Sequence, residues 1–406
     1  MKQISKNFCW NAVGNTAYNG LQWLITVIVA RKAGFDNAGI LAIAMSLSLT
    51  FRTIAYFGIR NFQISDENNK YSYADYAGFR IITCGASLVL CMIFAVFSGY
   101  DKAVLIAICW YMLFRVSEGF SDLLQGMMQK NERLDTVGIC LTVKAVITTA
   151  AFIVVFYSAT SINYALGAMA ISALVVTFML ELPLVRKICE LKATVEWKKC
   201  RKLAIETAPL LFHLLLISVT LNMPKYALSL AYDEAYLGAY SSIFSVSQII
   251  QAVFQYMYTP FLTEFSKLYS NDRIQEIKKL AVKIFFVFVL LLAVFVLIMQ
   301  LVGTPVLVFV FGKEIEQYKF MILPAIISVC AYCTMVFVCT LETIMRKFRV
   351  MITGQLIGVI SGIVCTFIFM KIFGVNGVSY GMAVGTVVAS AVMLRCAKGT
   401  QNNSLF

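Results

Sequence analysis

Arg186-Lys-Ile-Cys-Glu-Leu-Lys-Ala-Thr-Val-Glu-Trp-Lys-Lys-Cys-Arg-Lys202 carries seven Lys and Arg and lies near the middle of a chain of 406 residues. Most of the sequence on either side is apolar. Sixty per cent of the residues are hydrophobic and only 14% are charged, with a mean hydropathy of +0.81. A soluble domain is nearer half apolar and a quarter charged. This composition excludes a soluble globular enzyme, a disordered chain and a small domain stapled by disulfides. It points to an all-α protein that crosses a membrane many times.

Outward from the basic stretch, apolar runs of spanning length fall at about 9–30, 38–59, 78–98, 103–125, 136–157 and 162–185 on one side. On the other they fall at about 204–224, 235–262, 280–302, 318–341, 351–370 and 376–396. A membrane helix needs about 20 apolar residues, so these runs predict twelve spans. Strands of a membrane barrel would be about 10 residues long with alternating polarity. If the N-terminus is cytoplasmic, twenty-five Lys and Arg fall on the inner side and seven on the outer. That bias predicts both termini inside. Lys2 and Lys6 precede a run reaching about Ala30 with no small-residue cleavage site, which reads as a retained first helix.

The basic stretch therefore divides six helices from six. The predicted organisation is a first lobe at 1–186, a cytoplasmic linker at 187–203 and a second lobe at 204–406. Two halves of like orientation suggest parallel repeats, and weak self-similarity agrees. Asp36-Asn-Ala-Gly-Ile-Leu-Ala resembles Asp233-Glu-Ala-Tyr-Leu-Gly-Ala-Tyr-Ser. Ala165-Leu-Gly-Ala-Met-Ala resembles Ser379-Tyr-Gly-Met-Ala. The net charge of +13 follows from the cytoplasmic loops and does not call for nucleic acid. The twelve cysteines lie mostly in apolar runs and read as small buried hydrophobes.

Polar side chains inside these runs are the functional signal, because they are costly in hydrocarbon. Asn11, Asn15, Tyr18, Asn19 and Gln22 share one face of the first helix. They serve either as packing glue or as the wall of a hydrated lumen. Tyr111, Arg115, Glu118, Asp122 and Gln125 form a second stripe on the fourth helix. There Arg115 and Glu118 stand three residues apart, so they form either a neutralised pair or an anion site with acidic neighbours able to carry protons. Arg52 shares a face with Ser48 and Tyr56 and has no acidic residue within one turn. Its partner is then Glu118, Asp122 or an anionic ligand. Glu206 and His213, the single histidine, align on the seventh helix. Ser241, Ser245, Gln248, Gln255 and Thr259 align on the eighth.

No phosphate-binding GxxxxGK[ST] or HExxH occurs, and the one GxSxG spacing, Gly377-Val-Ser-Tyr-Gly381, lies in an apolar run rather than at a strand-to-helix turn; no enzyme activity or metal site is expected. Three stretches resemble bacterial polysaccharide-repeat flippases, the Wzx-like O-antigen and capsule exporters of the multidrug/oligosaccharidyl-lipid/polysaccharide superfamily. They are Ala55-Tyr-Phe-Gly-Ile-Arg-Asn-Phe-Gln-Ile-Ser-Asp66, Asn222-Met-Pro-Lys-Tyr-Ala-Leu with Leu237-Gly-Ala-Tyr-Ser241, and Gly374-Val-Asn-Gly-Val-Ser-Tyr-Gly381. The resemblance implies two six-helix lobes around a cavity in the bacterial cytoplasmic membrane. It also implies alternating-access movement of an undecaprenyl-diphosphate-linked oligosaccharide. Lumenal cations bind the anion in that family, a role that Arg52 and Arg115 match by type and depth. Asn15, Asn19, Gln22, Tyr56, Gln248 and Gln255 are the remaining substrate-binding candidates. Glu118, Asp122, Glu206 and His213 are the candidates for coupling to an H⁺ or Na⁺ gradient. The partners expected are the lipid-linked glycan, membrane lipids, and polysaccharide polymerase or assembly proteins.

Other readings differ in their lumen or their motifs. A drug/cation antiporter of the same superfamily would show an acidic, aromatic lumen. A major-facilitator transporter would show a Gly/Asp/Arg-rich loop where Arg60 to Tyr76 reads Asn-Phe-Gln-Ile-Ser-Asp-Glu. A membrane polymerase or glycosyltransferase would want a larger external domain than the connection at about 303–317, and a scaffold in an envelope-assembly complex is the remaining alternative. The charge count predicts Lys198 and Lys279 inside, with Lys102 and Lys313 outside. Single cysteines on a Cys-free background test this by impermeant labelling. Labelling of positions 198 and 313 from the same side would contradict it.

Overall fold

The computed structural model describes residues 2–65, 70–159, 161–188, 195–258, 261–271 and 273–399. Among them there is no strand. The first elements are α1 (Lys2–Tyr56), α2 (Ile59–Ser65), α3 (Tyr73–Phe97), α4 (Lys102–Lys130), α5 (Leu134–Ala159) and α6 (Ile162–Val176). A π-helical turn, Thr177–Glu181, carries α6 into α7 (Leu182–Arg186). Then come α8 (Trp197–Ala231), α9 (Glu234–Tyr258), α10 (Leu262–Ser270), α11 (Ile274–Phe311) and a 3₁₀ segment (Lys313–Met321). The chain closes with α12 (Ile322–Ile344), α13 (Phe348–Phe373), a 3₁₀ turn (Gly374–Asn376) and α14 (Gly377–Gly399). Part of the basic linker, 189–194, lies outside the described residues.

Ten of the described helices are long and apolar enough to cross a membrane. Two of these stretches, Trp10–Tyr56 and Phe348–Arg395, have 47 and 48 residues. At 1.5 Å per residue each is roughly 70 Å long, more than twice a hydrocarbon core. Both are broken near the middle. Gly34 sits at φ 77° and ψ 177° inside α1, a conformation that side-chain-bearing residues rarely adopt. The 3₁₀ turn at Gly374–Asn376 separates α13 from α14. Among the described residues the predicted apolar runs fall on helical stretches, with ends that differ by a few residues.

Two compact units are present. One comprises the chain up to Val29 with Ile40–Leu215, the other Ala30–Gly39 with the chain from Leu216 onward. In the first unit, Tyr76 and Phe79 of α3, Leu123 and Met127 of α4, Val137 and Cys140 of α5, and Leu203 of α8 form one buried cluster. In the second, Phe254 of α9 stacks on Phe288 of α11 with ring centroids 3.7 Å apart and meets Phe337 of α12 edge-on. Apolar side chains also face outward: Phe97 is 87% exposed and Phe309 80%. In lipid such faces are solvated by acyl chains, while every backbone polar group is satisfied within its helix.

Helix ends in the first unit are fixed by polar contacts. Ser72 caps α3 by accepting from the Asp75 backbone N–H, and the Asp75 carboxylate accepts from the Ser72 N–H at 2.9 Å. This is a capping box. Lys199 of α8 donates to the same carboxylate at 3.2 Å, tying the start of α8 to the start of α3. Two charges expected in cytoplasmic loops are buried instead. Arg80 and Lys144 are 0% and 1% exposed and lie well inside α3 and α5. The charge count takes 60–80 and 130–144 as cytoplasmic loops, but Arg80 and Lys144 at their ends belong to helices.

The crossing of α1 and α5 sets the width of the first unit at one end. A Cβ on Gly138 would lie 2.0 Å from the Trp10 carbonyl oxygen, so only hydrogen fits. Gly138→Ala must push α1 away from α5. A loss of about 1–3 kcal/mol is expected, the usual cost of overpacking, read as a lower unfolding midpoint of the detergent-solubilised protein. An unchanged midpoint would mean that this crossing bears no load.

Candidate functional site

The α4 stripe is the backbone of a polar cavity in the first unit. Tyr111, Arg115, Glu118, Asp122 and Gln125 repeat every three or four residues, so they share one helix face. All five are buried. The cavity is about 190 Å³. It is lined by Asn15, Tyr18 and Asn19 of α1, Arg52 and Tyr56 near the end of α1, and Arg60 of α2. Glu118, Ser121, Asp122 and Gln125 of α4 complete the wall with Leu141 and Lys144 of α5.

Two carboxylates gather most of the charge. Glu118 accepts from Arg115 Nη1 at 2.5 Å and from the Tyr18 hydroxyl, and Arg52 Nη1 lies 3.6 Å from it. Asp122 accepts from Arg80 Nη2 at 2.8 Å, and Arg60 Nη1 lies 3.6 Å away. Arg80 also donates to the Ala55 carbonyl at 2.5 Å. The Tyr111 hydroxyl accepts from Arg115 Nη2 at 3.1 Å. Arg60 donates to Gln125 and Gln129 at 3.1 and 2.9 Å. The ring of Tyr56 lies between two guanidinium groups, 4.8 Å from Arg52 and 5.6 Å from Arg80, a cation–π arrangement.

The cations around this cavity differ in what they can still offer. Arg80 and Arg115 are buried and spent on their carboxylates. Lys144 donates to Ser121 Oγ at 2.6 Å, Thr177 Oγ1 at 2.7 Å and the Ser117 carbonyl at 3.5 Å. Arg52 is different. Its side chain is 31% exposed, and among the described residues its guanidinium meets only Glu118 at 3.6 Å and the Tyr56 ring. Most of its N–H donors remain open to the cavity.

Of the residues singled out from sequence, Asn15, Asn19, Arg52, Tyr56, Glu118 and Asp122 come together on this cavity. Arg115 stands behind Glu118 and does not line it. Gln22 is buried further along α1, and its Nε2 has no hydrogen-bond partner. Glu206 pairs with Lys70 at 2.7 Å, and His213 is half-buried on α8; neither lines the cavity. Gln248 and Gln255 belong to the second unit, and Thr259 lies outside the described residues. Sequence reasoning missed Arg80, Lys144 and Glu181, and treated Arg60 as a loop cation. The sequence alone takes Arg52 and Arg115 as the only basic residues deep in the spans; Arg80 and Lys144 are buried there as well. The signal that could have found Lys144 is its spacing with Cys140 and Thr148 on one face of α5.

Asp122 is the second carboxylate hub, and its removal should show it. Asp122→Asn leaves the Arg80 guanidinium buried without a counter-charge, a loss of about 3–5 kcal/mol. The double variant Arg80→Met/Asp122→Asn removes both charges and should recover much of that loss. Denaturant midpoints of the purified proteins report it. Equal destabilisation of the single and double variants would show that the pair is not coupled.

Known proteins share both the sequence pattern and the fold. Residues 4–266 match the model of the family described as polysaccharide biosynthesis protein. The capsular polysaccharide biosynthesis protein CapF of Staphylococcus aureus is 22% identical over 386 residues, covering 95% of this chain and 96% of CapF. Among solved structures, the lipid II flippase MurJ in an inward closed conformation gives a TM-score of 0.68 at 13% identity, over 98% of this chain and 87% of MurJ. The Vibrio cholerae MATE transporter VcmN in its bent form gives 0.56 at 16% identity, over 100% of this chain and 98% of VcmN. These two likenesses show a shared fold, that of membrane transporters and flippases. With its many apolar helices, its fold and a match over more than half its length, the chain belongs to the polysaccharide biosynthesis protein family.

Proposed function

We propose that this protein is a flippase, carrying an undecaprenyl-diphosphate-linked oligosaccharide from the cytoplasmic to the outer leaflet of a bacterial cytoplasmic membrane by alternating access. The observation that carries this reading is the charge balance at the polar cavity. Arg52, Arg60, Arg80, Arg115 and Lys144 stand against Glu118, Asp122 and the nearby buried Glu181. Three carboxylates cannot neutralise five cations, and the surplus faces the cavity through Arg52. A guanidinium offers a delocalised charge and a two-pronged set of donors matched to phosphate oxygens. Asn15 and Asn19 add neutral donors and acceptors of the kind that sugar hydroxyls require. A diphosphate reaching the cavity would draw Arg52 from its loose contact with Glu118, which keeps Arg115 and Tyr18.

The same geometry disfavours a drug/cation antiporter. Such a lumen needs carboxylates free to take a cation, and Glu118 and Asp122 are each held by arginine. The proposal includes twelve spans with both termini cytoplasmic, lobes at 1–186 and 204–406 joined by the basic 187–203 linker, and coupling to an ion gradient. Polymerase and assembly proteins of the envelope would act on the exported glycan.

Deleting the gene and analysing lipid-linked sugars tests the class. A lipid-linked repeat unit should build up on the cytoplasmic face. Arg52→Ala should reproduce that build-up with normal amounts of inserted protein. Arg52→Lys should restore export only in part, because it keeps charge and loses the fork. An unchanged lipid pool together with altered drug sensitivity would reject the proposal.

A further inference from the structure

Behind the cavity wall lies a second polar site that the proposed anion clamp does not use. The π-helical turn at Thr177–Glu181 places Glu181 in the interior of the first unit at 0% exposure. Neither of its carboxylate oxygens has a hydrogen-bond partner. An ionised carboxylate held without donors in an apolar interior is among the costliest states a protein can contain. A π turn inserted in a membrane helix is itself a local strain that tends to mark function. The compensating charge is Lys144 of α5, whose field reaches Glu181 and whose ammonium donates to Thr177 at the start of the same π turn. Lys144 makes no hydrogen bond to it. Its ammonium is held by the neutral oxygens of Ser121, Thr177 and Ser117. Lys144 and Ser121 also line the cavity.

Glu181 is thus kept company by a cation that is not bonded to it and that borders the proposed anion site. The other titratable groups whose charge reaches it are Glu118 on α4 and Cys140 on α5, while Arg186 follows in sequence at the end of α7. Arg115 is committed to Glu118 at 2.5 Å and Arg186 is exposed. Among the described residues, no second cation is placed to replace Lys144 beside Glu181.

We infer that Glu181 and Lys144 form a proton-binding site linked to the cavity: an anion in the cavity draws the Lys144 ammonium toward itself, and Glu181 takes up a proton in its place. This rests on the reading of the cavity as an anion site. The balance is simple. The diphosphate diester brings two negative charges, which Arg52 and Lys144 meet, and one proton from the adjoining water neutralises Glu181, so the buried layer never holds a lone carboxylate. The chain would thereby bind a proton together with its substrate.

The test uses the full-length protein in detergent. The probe is farnesyl-diphospho-N-acetylglucosamine, a diphosphate diester that does not itself titrate near neutral pH. Calorimetry in two buffers of different ionisation enthalpy gives the number of protons exchanged on binding, by linkage. Wild-type protein should take up about one proton per probe bound. Glu181→Gln should bind the probe with no uptake, and the charge-neutral pair Lys144→Met/Glu181→Gln, which loses a cavity cation, should bind it more weakly and also with no uptake. Because the pair removes both charges together, it keeps the test open even if the single variant folds poorly. Binding by wild type without uptake, or the same uptake in both variants, would overturn the inference. Failure of wild type to bind the probe at all would overturn the anion-site reading, and the linkage with it.

Discussion

Burying a charge in hydrocarbon costs several kcal/mol unless a counter-charge meets it. In the first unit one helix face meets that requirement for four arginines. Glu118 and Asp122, four residues apart on α4, receive Arg115 from α4 itself, Arg52 from α1, Arg60 from α2 and Arg80 from α3. Each contact from another helix obliges that helix to stand beside α4. The apolar cluster of Tyr76, Phe79, Leu123 and Met127 then packs into the register that the charges have set. Hydrophobic packing in lipid is weakly directional, since lipid tails are as apolar as leucine. Ion pairs and hydrogen bonds supply the direction.

The same arrangement creates a graded set of cations. Arg80, at 0% exposure, is locked between Asp122 and the Ala55 carbonyl. Arg115 serves Glu118 and Tyr111. Arg60 is half-buried and shared between two glutamines and Asp122. Arg52 is the least committed, resting on an aromatic face. Moving from the locked arginines to the loose one leads from structural support to the surface of the cavity. A ligand that competes for Arg52 displaces one long contact and leaves the frame intact. That is the property a transporter needs in a group that must bind and then release.

Much of this was legible in the sequence, and the boundary of what was legible has a physical cause. Apolar runs are long because a bilayer is thick, so helix positions follow from composition alone. The stripes on α1 and α4 were visible because several polar residues repeat at helical spacing, and they meet on one cavity. Arg80 was hidden because it sits near the start of an apolar run, where a charge reads as the end of a loop, and Lys144 because a lone lysine inside a run was counted with the loop before it. Their burial depends on Asp122, Ser121 and Thr177, which lie on other helices, and no local pattern encodes that. Glu181 was hidden for the same reason, two residues before Pro183 at the end of its run. The π turn that points it inward leaves no mark on hydropathy. The break at Gly34 was anticipated only as a gap between runs; the structure shows a single glycine bending one long helix.

The central claim is that this chain moves an anionic, lipid-linked glycan across a membrane, and reconstitution measures that act itself. Purified protein is placed in liposomes with a fluorescent polyprenyl-diphospho-oligosaccharide in both leaflets, and an impermeant quencher is added outside. The account predicts that quenching proceeds past the outer-leaflet pool toward the whole probe, and that unlabelled lipid diphosphate slows it. Quenching that stops at the outer-leaflet pool, as in protein-free liposomes, would contradict it.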